Sequence, residues 1–270
     1  MDFTAVDKAF ADAINQGVFP GADLVVGKGG TIFYQKVYGY RSLTPEKSPL
    51  QTNTIFDLAS LTKPFATTLA IMVLVREKKL RLEDRVTRII PTYGVFGKHM
   101  TTVRQLLNHT SGLPAWKPYF EEIISSEKVG RINFVASRAA KNWLVEEIHR
   151  ERPLTLPGSK GRYSDLGFII LGEMVEMLTG QNLDRYCQDK IYKPLGLRET
   201  GFVDLTQLRT RRLEIVEDII APTEHCPWRQ KILCGQVHDD NAYAMGGVAG
   251  HAGLFSSARD IQFILSKLGR

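Results

Sequence analysis

The chain has 270 residues, of which 43% are hydrophobic and 24% charged, with a formal net charge of +6. This composition predicts a globular protein with a full hydrophobic core and excludes a disordered or low-complexity chain. The positive charge is small and scattered except at residues 209–212, so we expect no nucleic-acid binding.

No secretory leader is visible, because the first residues are Met1-Asp2-Phe3-Thr4 and lack an apolar stretch. On this ground we expect a cytoplasmic protein, or a periplasmic or extracellular one if a leader was removed. The longest apolar run, residues 69–75, is too short to cross a bilayer, so no membrane span is expected. The three cysteines make no even disulfide set, and reduced thiols are expected.

The N-terminal part predicts one helix followed by a β-hairpin. Apolar residues at helical spacing open the chain: Phe3, Val6, Phe10 and Ile14. Gly17 and Pro20 end that helix, residues 22–26 and 31–40 predict two strands, and the glycines at 29–30 predict the turn between them.

The middle of the chain changes to a helical pattern. Five helices bounded by proline or glycine are predicted: residues 61–78, 103–108, 134–148, 166–178 and 183–191. Residues 204–245 are irregular and polar, residues 246–255 predict a glycine-rich strand, and a last helix begins near Ala258.

This order predicts an α/β fold with a helical domain inserted into a sheet domain. Residues 1–55 would form the first part of the sheet domain, residues 56–205 the mainly helical domain, and residues 206–270 the return to the sheet domain.

Ser60 and Lys63 stand three residues apart at the start of an apolar helical run. Side chains at this spacing share a helical face, so the lysine amine could take the serine proton and leave an oxygen nucleophile. A lysine is a base only when neutral, and burial favours that form, so a catalytic Lys63 must be enclosed. Ser60 would equally fit a helix N-cap with Pro64 in the first turn. Ser125 and Lys128 repeat the spacing in a polar segment, so spacing alone does not decide.

A second candidate group lies in residues 161–167, just before an apolar helix. Tyr163 in this connecting loop could point back at the serine and relay a proton to a leaving group. The alternative interpretation of Tyr163 is an aromatic cover over the start of the helix.

Together these residues resemble a known superfamily. Ser60-Leu61-Thr62-Lys63, followed about a hundred residues later by Tyr163-Ser164-Asp165, is similar to the pattern of serine β-lactamases and penicillin-binding proteins. The class C branch, which also contains esterases and D,D-peptidases, is the most similar, and residues 106–114 (LLNHTSGLP) and 250–257 (GHAGLFSS) resemble it as well.

The resemblance implies a β-lactamase-like (transpeptidase-like) fold, with an antiparallel sheet flanked by helices. It also implies that Ser60 is the acylated nucleophile, Lys63 its base and Tyr163 the proton relay, with no metal and no organic cofactor.

Asp165 departs from the superfamily pattern, in which the loop is more often Tyr-x-Asn. An asparagine both donates and accepts, whereas an ionised Asp165 only accepts. The carboxylate could orient Lys63, but it would favour the ammonium form and would lose a hydrogen bond to an amide substrate. We therefore expect Asp165 to line the substrate site and β-lactam hydrolysis to be weak.

The third motif of the superfamily, Lys-Thr-Gly or His-Thr-Gly, lies on a strand that lines the site and supplies an oxyanion-hole N–H. His251-Ala252-Gly253 matches superficially, but only 17 residues follow it, too few for the remaining strands and helix. We expect this segment to be an earlier glycine-rich turn, with the third motif and the C-terminal strands beyond Arg270. An isolated hairpin is marginal in water, so a second polypeptide, a swapped segment or a substantially exposed sheet edge is expected.

Two other patterns are interpreted as ordinary structural features and not as functional sites. Four residues could suggest a metal site: His225, Cys226, Cys234 and His238. Their spacing is not a familiar zinc pattern, so we expect ordinary loop residues, and residues 238–240 are expected to form a loop or turn. His109 and Ser111 do not face each other on a helix, so residues 108–111 are expected to have a local capping role.

The sequence thus predicts a serine hydrolase that forms an acyl-enzyme at Ser60 and acts on a small amide or ester. The substrate would be a β-lactam, a D-alanyl peptide or a short ester. The alternative is a catalytically silent protein that binds cell-wall peptide, or an inactive fragment, and both Asp165 and the absent third motif favour that alternative.

Overall fold

The computed structural model describes residues 2–130, 132–211 and 217–268. Within them the α-helices are α1 (Thr4–Asn15), α2 (Leu69–Arg76), α3 (Val103–Leu107), α4 (Tyr119–Lys128), α5 (Arg138–Arg150), α6 (Asp165–Thr179), α7 (Leu183–Cys187), α8 (Leu205–Arg211), α9 (Asp240–Ala244) and α10 (Ala258–Leu268). The strands are β1 (Gly21–Lys28), β2 (Thr31–Ser42), β3 (Ser48–Pro49), β4 (Phe56–Asp57), β5 (Gly201–Phe202), β6 (His225–Cys226), β7 (Lys231–Ile232) and β8 (Leu254–Ser256). Segments of 3₁₀ helix occupy Ala59–Leu61, Val86–Arg88 and Pro91–Met100, and π-helical turns occupy Lys63–Thr68 and Gln188–Tyr192.

The N-terminal helix and hairpin form as predicted. β1, β2 and β3 make an antiparallel sheet in that order, and the β1–β2 hairpin closes at the pair Lys28–Thr31. The apolar face of α1 lies on β2, where the Phe10 ring stacks on Tyr38 at a centroid distance of 4.7 Å. Helix α10 packs against β1, so closely that a Cβ added to Gly27 would lie 2.1 Å from Gln262 Nε2.

Only β2 pairs with β1 among the described strands, so the opposite edge of β1 has no partner strand in this part of the chain. Nothing in the structure supports the expected second polypeptide. The expectation of further strands beyond Arg270 stays a prediction, as does the three-part division of the chain.

A second small sheet joins distant parts of the chain. Its order is β4-β8-β5, and both outer strands run antiparallel to the fully buried β8. The glycine-rich strand predicted over residues 246–255 was therefore too long, because only its end is extended. Gly246, Gly247 and Gly253 have positive φ angles of 94°, 91° and 109°, which a regular strand does not contain.

The helical core is built around α6, which buries nine of its residues. The main cluster of buried apolar side chains extends from Phe65 to Ile264, so residues of the middle and end of the chain share one core. Two predicted helices differ from the structure. Residues 61–78 divide into 3₁₀, π and α turns, and the helix expected at residue 134 begins at Arg138, because Ser137 caps it by accepting the Ala140 N–H at 3.1 Å.

The segment predicted to be irregular, residues 204–245, contains short elements in its described part, namely α8, the β6–β7 hairpin and α9. None of these elements is longer than seven residues, so none shows a clear apolar period in this polar segment. No helix among residues 2–130, 132–211 and 217–268 has the length and apolar character needed to cross a membrane.

Candidate active site

The structure brings Ser60 and Lys63 together at the end of β4. Ser60 lies in an exposed 3₁₀ turn, and Lys63 begins the π-helical turn that leads into α2. Lys63 Nζ is 3.0 Å from Ser60 Oγ, and Lys63 is only 3% exposed. Ser60 is not the N-cap of this turn, because the residue that precedes the turn is Leu58 and Ser60 lies within it.

Two more oxygens surround the Lys63 amine. Nζ donates to the His251 carbonyl oxygen at 3.1 Å, and Asp165 Oδ1 lies 2.7 Å away as an ion-pair partner. The carbonyl and the carboxylate can only accept protons, whereas the Ser60 hydroxyl can also give one. The Lys63 amine is therefore enclosed, with three oxygens as its neighbours.

Asp165 is placed by the loop that leads into α6. Its backbone N–H donates to the Ala115 carbonyl at 2.8 Å, and the preceding Ser164 hydroxyl donates to Pro114 at 2.6 Å. Ser164 Oγ also accepts the Gly167 N–H at 3.3 Å as the N-cap of α6. Asp165 is thus the first residue of the helix, where the helix dipole stabilises a carboxylate.

Tyr163 lies over the same amine from the solvent side. Its ring centroid is 4.8 Å from Lys63 Nζ, within the range of a cation–π contact, and its side chain is 53% exposed. Tyr163 therefore covers the Lys63 amine and is at the same time exposed to solvent.

His109 contributes both to the site and to the local capping expected of residues 108–111. Asn108 is the C-cap of α3, and the His109 N–H donates to the Leu106 carbonyl at 3.2 Å. The His109 ring lies 4.5 Å from the Tyr163 ring and 5.1 Å from the Phe168 ring. Its Nδ1 accepts the Ser164 N–H at 3.1 Å, and its carbonyl accepts the Arg162 N–H at 2.8 Å.

Burial lowers the pKa of His109, and the Lys63 ammonium lowers it further. This favours the neutral ring that the Ser164 hydrogen bond requires. The backbone of His109 is left-handed, with a φ of 60°, which explains why helical spacing was a poor guide to its position. The signal that could have found it is the family-like stretch 106–114 in which it lies.

Asp239 and His251 lie behind Lys63 and were not predicted as a pair. His251 is 1% exposed, and its Nε2 is 2.9 Å from Asp239 Oδ1. Burial alone would raise the pKa of Asp239, but the His251 ring and the Ala242 N–H outweigh it and hold that pKa at about 2. Asp239 is also the N-cap of α9, so the loop or turn expected for residues 238–240 ends at Asp239, and Asp240 already begins the helix.

Glycines let α6 approach the loop that carries His251. A Cβ on Gly250 would lie 2.0 Å from the Phe168 carbonyl oxygen, and a Cβ on Gly172 would lie 3.1 Å from the Gly250 Cα. Larger residues at these positions would separate the two elements that supply Asp165 and His251.

The remaining sequence patterns lie elsewhere. Ser125, in the second Ser-x-x-Lys match, donates its hydroxyl to the Glu121 carbonyl at 2.8 Å within α4. No group of three or more His, Cys, Asp or Glu residues in the described ranges is arranged to hold a metal ion. In the basic cluster 209–212, Arg209 donates to the Val135 carbonyl at 3.2 Å, and Arg212 lies outside the described residues.

Known proteins resemble this chain over nearly all of its length. A protein of Escherichia coli (strain K12) named "Putative D-alanyl-D-alanine carboxypeptidase" is 34% identical over 281 residues. That match covers 97% of this chain and 63% of the relative, so the chain spans less than two thirds of the relative's length.

Two solved structures share the fold. The octameric penicillin-binding protein homologue from Pyrococcus abyssi has a TM-score of 0.73 and 25% identity, and the match covers 98% of this chain and 56% of that one. EstCE1, a hydrolase with promiscuous acyltransferase activity, has a TM-score of 0.70 and 25% identity, and the match covers 95% of this chain and 69% of EstCE1. The predicted α/β fold is therefore confirmed.

The family model described as Beta-lactamase matches residues 6–269. This match confirms the resemblance found in the motifs around Ser60, Tyr163 and residues 250–257. The chain belongs to the beta-lactamase family.

Proposed function

We propose that this protein is a serine hydrolase of the β-lactamase and D,D-peptidase type, with Ser60 as nucleophile and Lys63 as its base. The observation that carries the proposal is the set of three oxygens around Lys63 Nζ. Two of them belong to His251 and Asp165 and cannot give a proton to the amine. A neutral Lys63 would therefore direct its lone pair at the Ser60 hydroxyl, which is the one of the three oxygens that can give it a proton.

The reaction follows from these positions. Ser60 Oγ attacks the carbonyl carbon of the substrate while its proton passes to Lys63 Nζ. The tetrahedral intermediate collapses, the bond to the leaving nitrogen or oxygen breaks, and Tyr163 carries the proton from the Lys63 ammonium to the leaving group. Water then attacks the acyl group on Ser60, the acid is released, and the serine recovers its proton.

The substrate class is a small amide or ester: a β-lactam, a D-alanyl peptide or a short ester. The names of the carboxypeptidase-like relative and of the hydrolase EstCE1 support this range. Asp165 is expected to line the substrate site and to orient Lys63. Because a carboxylate there offers no donor to an amide carbonyl, we expect β-lactams to be turned over slowly.

A catalytically silent peptide-binding protein on the same fold is the second candidate. The 2.7 Å contact between Lys63 and Asp165 favours it, because an adjacent carboxylate stabilises the ammonium form, which cannot act as a base. Calorimetry with a D-alanyl-D-alanine peptide, beside turnover assays with nitrocefin and a nitrophenyl ester, separates the two. Binding without any turnover would establish the silent protein.

The hydrolase proposal is tested by labelling with a fluorophosphonate and mapping the adduct by mass spectrometry. We expect one adduct, on Ser60, that is lost in Ser60→Ala. Ser125→Ala is the matched control, because Ser125 has the same Ser-x-x-Lys spacing but donates its hydroxyl to a helix carbonyl. The Ser125→Ala protein should take the label on Ser60 as wild type does. A wild-type protein that takes no label, or a label that survives Ser60→Ala, would refute the proposal.

A further inference from the structure

The residue before the proposed nucleophile has an unfavourable backbone conformation. Ala59 has a φ of 46°, in the left-handed region. For an L-residue with a Cβ this region costs about 1–2 kcal/mol, so the conformation persists only where neighbours impose it. The conformation of Ala59 determines the direction in which the side chain of the next residue, Ser60, points.

Side chains hold both polar groups of the Ala59 backbone. Asp57 Oδ1 accepts the Ala59 N–H at 2.8 Å. The Thr62 hydroxyl donates to the Ala59 carbonyl at 2.7 Å and accepts the Leu254 N–H at 3.0 Å. The turn is therefore attached to β4 on one side and to β8 on the other.

The second oxygen of Asp57 reaches the loop behind Lys63. Oδ2 accepts the His238 N–H at 2.7 Å, and the next residue, Asp239, binds the His251 ring at 2.9 Å. The carbonyl of His251 in turn accepts a hydrogen bond from Lys63. One half-buried carboxylate thus connects the turn that carries the nucleophile with the loop that holds the base.

We propose that Asp57 is a positioning residue for acyl transfer, which fixes the left-handed Ala59 turn and so aims Ser60 Oγ at Lys63 Nζ. This inference rests on the proposed serine hydrolase function. Without the carboxylate, Ala59 relaxes toward negative φ and Ser60 Oγ moves away from its 3.0 Å contact with the lysine. A displacement of about 1 Å in a reacting group lowers rates by about 10²-fold.

The experiment measures the second-order rate of Ser60 labelling by a fluorophosphonate, together with the urea midpoint of each variant. Asp57→Ala should label about 10–100-fold more slowly than wild type. Asp57→Asn should be intermediate, because the amide oxygen still accepts the Ala59 N–H while the NH₂ group cannot accept from His238. Adding Ala59→Gly to Asp57→Ala should recover part of the rate, since glycine enters the left-handed region at little cost.

Asp204→Ala is the matched control. Asp204 is also half-buried and accepts a backbone N–H, from Gln207 at 3.1 Å, but in a different part of the fold. It should lower the urea midpoint without slowing the labelling. A rate loss that follows the midpoint in both variants would reduce Asp57 to an ordinary structural residue and overturn the inference.

The outcomes also separate the inference from the proposed function. A wild-type protein that takes no label refutes the hydrolase and the role of Asp57 with it. A wild-type protein that labels, with Asp57→Ala labelling at the same rate, refutes the role of Asp57 alone. If Asp57→Ala does not fold, Asp57→Asn decides, and a wild-type rate in that variant contradicts the proposal.

Discussion

Asp165 Oδ1 lies 2.7 Å from Lys63 Nζ, and the two side chains are only 18% and 4% exposed. The contact joins the turn after β4 to the N-terminus of α6. A carboxylate at this position can orient the lysine. The same contact opposes the base, because it stabilises the charged amine.

Replacing Asp165 with asparagine should therefore accelerate acylation. Asp165→Asn keeps an acceptor oxygen for Lys63, removes the negative charge and adds a donor for a substrate carbonyl. We expect several-fold faster labelling of Ser60 near neutral pH. The readout is the fluorophosphonate labelling rate as a function of pH.

Glu176→Gln is the control for Asp165→Asn. Glu176 forms a similar ion pair, with Lys141 Nζ 2.6 Å from Glu176 Oε1, and this pair does not include Lys63. Glu176→Gln should leave the rate profile unchanged. Slower labelling of Asp165→Asn at every pH would show that the carboxylate itself takes part in the reaction.

Tyr163→Phe should separate the two tasks of the tyrosine. The ring that lies 4.8 Å from Lys63 Nζ remains, and only the phenol is lost. Proton delivery to a leaving group contributes about 10²–10⁴-fold. We expect a loss of that order for a D-alanyl-D-alanine peptide and little loss for a nitrophenyl ester, whose leaving group needs no proton. Equal losses with both substrates would mean that the phenol is not the proton donor.

His109 should support Tyr163 through its ring and Ser164 through its Nδ1. His109→Leu leaves the buried Ser164 N–H without its acceptor, which costs about 1–3 kcal/mol, and it should slow turnover as well. His109→Asn retains an acceptor and tolerates the left-handed backbone, so it should be more stable than the leucine variant. Urea denaturation of the two variants measures the difference, and equal stability would exclude a role for the Ser164 bond.

Gly250→Ala should impair both stability and acylation. The added Cβ would meet the Phe168 carbonyl at 2.0 Å and push the loop of His251 away from α6. Overpacking of this kind costs about 1–3 kcal/mol. Gly161→Ala is the control, since no atom beyond its two chain neighbours lies within 4 Å of the position of its Cβ. Thermal melts and Ser60 labelling rates report the two effects, and a Gly250→Ala protein with wild-type values for both would contradict the close approach.

Lys98 should make stability rise with pH in the alkaline range. It is fully buried, donates to the His149 carbonyl at 2.9 Å and contacts the Glu151 carbonyl. Burial lowers its pKa from 10.5 to about 8, against the opposing effect of the Glu151 carboxylate. Between these values the unfolded chain binds more protons than the folded one, so the free energy of unfolding increases as pH rises through the window.

Lys98→Met removes this titration and isolates its contribution. The stability of wild type relative to Lys98→Met should rise by at most about 3 kcal/mol from about pH 8 to about pH 10.5. Urea denaturation of both proteins at several pH values measures it. A constant difference between the two proteins would show that Lys98 has the same affinity for protons in the folded and unfolded states.

The sequence selected Ser60, Lys63 and Tyr163 as candidates from their residue types and order, and the structure places the three side chains together. The sequence also predicted the N-terminal helix and hairpin, whose apolar spacing and glycine turn are local features. His109, Asp57 and Asp239 were missed because their roles depend on backbone geometry and distant contacts. A left-handed residue such as His109 breaks the periodicity on which spacing arguments rest.

Helix limits failed for a similar reason. The chain from Ser60 onward has a continuous apolar pattern, yet a π-helical turn at Lys63–Thr68 separates the first turn from α2. Such a turn carries an extra residue and is frequent at functional sites, but periodicity over a short window does not reveal it. The glycine-rich segment before β8 was similarly taken as extended, because its composition does not distinguish a strand from successive positive-φ turns.

The partners of the Lys63 turn are distant from it in the sequence. Lys63 and the His251 carbonyl are 188 residues apart, Thr67 and the Gly250 carbonyl 183, and Thr62 and the Leu254 N–H 192. During synthesis, a nascent polypeptide that has emerged only as far as α7 already contains Ser60, Lys63 and Tyr163, but nothing yet encloses the amine from that side. The Lys63 amine is therefore enclosed from that side only after the residues around 254 have left the ribosome.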